Sequence, residues 1–177
     1  MFRSATKREM TLLRRSFDLW GIFEFMESQV MLLKVDPINR SRQVLITTEP
    51  SKDTSNQPAV YPIHVGLVLG ELRNKKFTPS LHGAEIIAKY GSKFPYVLVN
   101  EIAEGLVLYG RDIFGDSILE VSKGLGQNKK VIILNQNRES IGLGQTRFSD
   151  ENIFRKGEVT VYTLLDLGMY LRDQDNQ

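Results

Sequence analysis

Tyr96-Val97-Leu98-Val99-Asn100-Glu101-Ile102-Ala103-Glu104-Gly105-Leu106-Val107-Leu108-Tyr109-Gly110 decides how the second half of this chain is read. Four apolar residues in a row suit a short buried strand. Asn100 stands where a side-chain oxygen can cap a helix over 101–109, and Glu101 favours the positive helix end. Gly110 sits where a left-handed residue ends such a helix. Working outward, Ile113-Phe114 and residues 118–121 read as strand pieces around Gly115-Asp116-Ser117. Residues 131–134 form a buried strand, 135–139 a turn and 141–148 the return arm of a hairpin. A helical turn is expected over 149–154, a last strand over 159–164, and a short closing helix over 166–171 capped by Asp166. Many short strands with one early helix predict a small mixed barrel.

Upstream, Met10, Leu13, Phe17, Trp20 and residues 22–25 recur at spacings of three and four, so 6–33 reads as amphipathic helix. Asp36-Pro37-Ile38-Asn39 marks a turn, 43–48 has strand character, and residues 49–58 (EPSKDTSNQP) read as a loop. Residues 61–72 suit a strand pair or a bent strand. Residues 81–90 suit a short helix with Ser80 as its cap and Gly91 at its end. The break at Tyr90-Gly91-Ser92, with Pro95 close behind, divides the chain into domains 1–92 and 93–177. The expected class is α+β: an N-terminal α/β domain followed by a C-terminal mixed β-barrel.

Composition narrows the function. The chain has 177 residues, 41% of them hydrophobic, and no cysteine. Disulfides, thiolate metal sites and a cysteine nucleophile are thereby excluded. No stretch approaches the roughly 18 apolar residues of a membrane span. Arg14, Arg15 and Asp18 interrupt the best N-terminal apolar run, so no signal peptide is read and a soluble, cytoplasmic protein is expected. Net charge is +2, divided as 13 − 9 = +4 over residues 1–92 and 10 − 12 = −2 over 93–177. A polyanion would have to find a local basic patch.

The C-terminal half resembles a PUA domain, the fold named after pseudouridine synthases and archaeosine transglycosylases. The matching elements are the strand and helix over 96–110, Ile113 and Ile118, the strand 131–134, and Ile141-Gly142-Leu143-Gly144. Leu108-Tyr109-Gly110, Gly142-x-Gly144 and Asp166-Leu167-Gly168-x-Tyr170-Leu171-Arg172 further resemble the Nip-seven family of ribosome-biogenesis factors. Leu69-Gly70, Phe77, Leu81 and Ala88-x-Tyr90 are similar to that family's pre-PUA domain. Tyr162-Thr163-Leu164-Leu165 replaces a more polar stretch of the eukaryotic members, so the likeness is to archaeal ones. The resemblance implies RNA binding through the C-terminal domain.

Other chemistry is poorly supported by the residues. Gly124-Leu125-Gly126 and Gly142-Leu143-Gly144 lack the third glycine and the lysine of phosphate loops, and glycine in a barrel strand more simply permits close packing. His64 and His82 lie 18 residues apart without an acidic ligand cluster, so no metal and no cofactor are expected. No carboxylate pair comes with a nucleophile, so no catalytic residue is assigned. The basic residues are the better lead. Arg147, Arg155 and Lys156 bracket the last two strands and can converge at one rim, where fixed cations suit a phosphate backbone. Their plain alternative is a solvated charged turn. The resemblance implies RNA binding at the same three positions. Lys129 and Lys130 enter a central strand, and Arg111 follows the helix that PUA domains use to line their RNA groove. Lys75 and Lys76 could extend a basic surface or serve solubility.

Three functions follow. The first is a non-catalytic, monomeric RNA-binding factor in large ribosomal subunit biogenesis, binding unpaired or structured pre-rRNA and other assembly proteins. The second is a PUA-bearing component of an RNA-modification enzyme, although 92 residues are short for a catalytic domain. The third is a protein-binding adaptor.

Overall fold

The computed structural model describes residues 2–36, 38, 41–47, 66–149 and 151–172. The expectations for 49–58, for His64 and for the start of the 61–72 strand lie outside them. Two compact units emerge, Met1–Gly83 and Ala84–Gln177.

The first unit is a five-stranded antiparallel sheet with helices. Its strands β1 (Phe2–Ser4), β2 (Val30–Val35), β3 (Arg42–Thr47), β4 (Leu67–Arg73) and β5 (Lys76–Pro79) are neighbours in chain order. Helix α1 (Lys7–Trp20) begins at Thr6, whose side chain accepts from the Glu9 N–H while Glu9 reaches back to the Thr6 N–H. This reciprocal arrangement satisfies two donors that a helix start leaves open. Gly21, left-handed at φ 65°, ends the helix. A short α2 (Phe23–Glu27) follows. The helix expected over 6–33 therefore stops early: Gly21 breaks it, and Val30–Val35 pairs with β1 and β3 as a strand. Leu13 and Phe17 on α1 are buried, and the Phe17 ring meets Phe77 edge-on at 5.7 Å. Lys75 lies in the β4–β5 turn, with Asn74 and Lys75 both at positive φ as a two-residue hairpin turn requires.

Glu9 is the electrostatic centre of this unit. Its buried carboxylate accepts from both terminal nitrogens of Arg3 on β1, at 2.7 and 2.8 Å, and lies 2.9 Å from Arg42 Nε on β3. The Arg3 hydrogen bonds, helped by those from Thr6 and opposed by burial, hold its pKa down at about 2.

Helix α3 (Leu81–Tyr90) has the expected bounds, and Ser80 Oγ accepts from the Gly83 N–H at 3.0 Å. The division between the units falls inside this helix. His82 is an exposed helix residue.

The second unit is a nearly closed mixed barrel. Its six strands are β6 (Tyr96–Val99), β7 (Ile113–Phe114), β8 (Ile118–Val121), β9 (Lys130–Leu134), β10 (Ser140–Thr146) and β11 (Val159–Asp166), in the spatial order β7-β11-β10-β9-β6-β8. The β6–β9 pair is parallel and the others are antiparallel. Helix α4 (Glu101–Leu108) starts at Asn100, whose Oδ1 accepts from the Ala103 N–H at 2.9 Å. Gly110 turns away at φ 73°. Ala103 and Val107 enter a core with Val97, Val99, Ile113, Val131, Ile133, Ile141, Ile153 and Val161. Gly142 and Gly144 are packing residues: a Cβ would lie 2.5 Å from Leu165 O at the first and 2.8 Å from a Val161 methyl at the second.

Asp166 has a different role from the expected cap. It is buried at the end of β11, and its two oxygens pair with the Arg172 guanidinium at 3.1 and 2.9 Å. Arg172, on α5 (Met169–Arg172), also donates to the Leu108 carbonyl at the end of α4. A cation there suits the negative helix end.

Candidate nucleic-acid interface

The last strands of the barrel bring several basic residues to one end. Chain direction explains this: β9 begins with Lys130 where β10 ends with Thr146, and β11 begins with Val159 beside that same end. Lys129 is locked to Thr146, because its N–H donates to the buried Thr146 Oγ1 at 2.9 Å and its carbonyl accepts the Thr146 N–H. Arg147 extends the ladder one step, its N–H donating to Thr160 O. The three residues Arg147, Lys129 and Lys130 therefore share a rim.

Arg155 reaches the same place from the other side of a turn. Buried Ile153 anchors the turn in the core. Gly115, in the tight turn Gly115–Ser117, packs against its backbone so closely that a Cβ would sit 2.3 Å from Arg155 O and 2.6 Å from Arg155 N. The Gly115 N–H donates to Glu158 O and fixes the turn's exit. Lys156 stands exposed beside Arg155.

Phe148 organises the pair of arginines. The Arg155 guanidinium carbon lies 4.5 Å from its ring centre and that of Arg147 lies 5.3 Å away. Each guanidinium is held by the ring's electron-rich face, and its charge remains exposed for an incoming anion. Arg155 has weak local partners, Asn152 Oδ1 at 3.2 Å and Glu158 at 4.0 Å. Exposed ion pairs of this kind contribute little and yield readily to a stronger anion.

Arg111 is not at this rim. Its carbonyl accepts from Thr163 Oγ1, four residues along β11 from Val159, which is about 13 Å at ordinary strand rise. Arg138 is elsewhere again, in the β9–β10 turn, paired with Glu120 at 2.7 Å and set over the Tyr96 ring. Hydrogen bonds from Tyr96 and Arg138 hold the Glu120 carboxyl below its usual range. The sequence reading missed Phe148, Gly115 and Thr146. An aromatic between arginines at a strand end was the available signal for Phe148; the other two act through contacts distant in sequence.

Residues 95–175 match the UPF0113 PUA domain family. A UPF0113 protein of Archaeoglobus fulgidus is 29% identical over 175 residues, covering 98% of this chain and 95% of that protein. One from Aeropyrum pernix is 33% identical over 114 residues, covering 63% and 59% respectively. Among solved structures, a conserved PUA domain protein from Thermoplasma acidophilum shares the fold with TM-score 0.71 at 13% identity, covering 98% of this chain and 99% of that one. A PUA domain from Aeropyrum pernix, solved as a tartrate complex, shares it with TM-score 0.61 at 16% identity, covering 100% and 91%. The barrel over residues 95–175 thus matches the UPF0113 PUA domain family and shares its fold with solved PUA domain structures.

Proposed function

We propose that this protein is a non-catalytic RNA-binding factor of large ribosomal subunit biogenesis, acting in the cytoplasm as a monomer on unpaired or irregular pre-rRNA together with other assembly proteins. The observation that carries RNA binding is the pair of guanidiniums held on Phe148 at the barrel rim. Arginine's planar fork suits phosphate oxygens, and ring contact reduces the freedom lost on binding. The assembly role rests on the resemblance of residues 65–173 to the Nip-seven family, the earlier part being similar only in its order of elements. In this reading the RNA is gripped and left chemically unchanged.

The test is a titration with labelled single-stranded RNA at several salt concentrations. Arg147, Arg155 and Lys156 supply three phosphate contacts, giving log K a slope of about −2 against log salt at ~0.7 per contact. Arg147→Ala/Arg155→Ala should reduce the slope to about −0.7. Unchanged affinity in that double variant would remove the rim from the mechanism. Crosslinking in cells should recover large-subunit precursor RNA; recovery of other transcripts alone would sink the assembly role.

A further inference from the structure

We infer that Tyr162, on the outer face of the barrel, is a stacking platform for one unpaired nucleobase of the bound strand. The register places Tyr162 opposite Gln145, and Gln145 opposite Lys130, in one row across β11, β10 and β9. Directly opposed residues in antiparallel strands project from the same face. That face is the outer one, because the flanking Val161, Gly144, Thr146 and Val131 are all buried, whereas Tyr162 is 42% exposed and Lys130 is exposed.

Basic residues lie on either flank of this aromatic. Arg147 follows Gln145 by two residues and so lies on the same side of the strand, about 7 Å along. Arg111 lies on the other flank, its carbonyl bonded to Thr163, the residue after Tyr162. Asp112, the acid next to Arg111 in the chain, is engaged through Oδ1 with the Thr163 N–H at 2.9 Å. An exposed ring between cations is the arrangement by which proteins hold single strands: bases stack on the aromatic face while phosphates meet the positive charges. Gln145, whose amide nitrogen donates a long 3.4 Å bond to Asn128 O, stands one strand away and can meet the edge of a stacked base. The row links the Arg147 end of the barrel to Arg111, which the rim alone leaves isolated. The ligand is therefore a single strand crossing β9, β10 and β11 on the outside.

This inference rests on the RNA-binding reading, and the experiment separates the two. Wild type, Tyr162→Ala, Tyr162→Phe and Arg147→Ala/Arg155→Ala are titrated by fluorescence anisotropy with a labelled oligoadenylate and with an abasic ribose-phosphate strand of equal length. Tyr162→Ala should bind oligoadenylate about tenfold more weakly, the scale of one lost base–aromatic stack, with an unchanged salt slope. Its affinity for the abasic strand should equal that of wild type. Tyr162→Phe keeps the ring and should bind both strands as wild type does. Equal oligoadenylate affinity in Tyr162→Ala and wild type, with the arginine variant weakened, would overturn the platform and leave the rim standing. Equal losses on both strands would assign Tyr162 a structural role instead. Failure of wild type to bind either strand would overturn both readings.

Discussion

Glu9→Gln should unfold the N-terminal unit easily at neutral pH and matter little in acid. The native carboxylate accepts from Arg3, from Thr6 N and Oγ1, and lies 2.9 Å from Arg42. An amide of the same shape can keep part of this geometry but leaves two guanidiniums without their anion. The magnitude follows from the shifted titration: a carboxyl moved from 4.5 to about 2 contributes about 3 kcal/mol at pH 7, at about 1.4 kcal/mol for each tenfold. Because the folded pKa is depressed, that stability is fully present above pH 4.5 and is lost as pH falls toward 2. The chain's one tryptophan, Trp20, lies in this unit with its ring 5.5 Å from Phe77, so its fluorescence reports local unfolding. In urea, with a slope of about 1 kcal/mol per molar for so small a unit, the midpoint should fall by about 2–3 M at pH 7. The gap between wild type and variant should close near pH 2. Coincident curves at pH 7 would refute the electrostatic account, and a gap independent of pH would assign the loss to shape.

Gly115→Ala should weaken RNA binding several-fold without touching a cation, because the new methyl collides with the Arg155 backbone; comparison with Arg155→Ala in the same titration checks it, and full affinity would show the turn is not held from this side. Thr160 Oγ1 is the buried side-chain oxygen without a partner among the described residues, so Thr160→Val should stabilise the barrel by about 1 kcal/mol in thermal unfolding, since a desolvated hydroxyl is removed at nearly constant shape.

The features legible in the sequence are those written by neighbours. Asn100, Ser80 and Gly110 act on backbone within a few residues, and α3 and α4 follow the pattern they announce. That Arg147 and Arg155 come to one end of the barrel was legible because the antiparallel run of the last two strands fixes which ends meet. Other features are decided at long range. Val30–Val35 carries apolar spacing that a helix would also satisfy, and its strand state depends on pairing with Phe2–Ser4 and Arg42–Thr47. Asp166 looked like a local cap, yet its oxygens serve Arg172. β5 ends in Pro79, which a strand tolerates because β5 lies at the sheet edge. Phe148 is marked in the sequence only by its place between arginines; it matters through a guanidinium seven residues away as well as the adjacent one.

The order of strands in the barrel also sets an order in time. The β6–β9 partnership joins residues near 96 to residues near 132, and β7 near 113 waits for β11 near 160. Such distant pairings are slow to close and cannot begin before the late strands exist. In the first unit, every strand pairs with its successor. During synthesis that meander can assemble while the barrel is still being made, so the emerging chain presents a formed N-terminal unit before it has its basic rim.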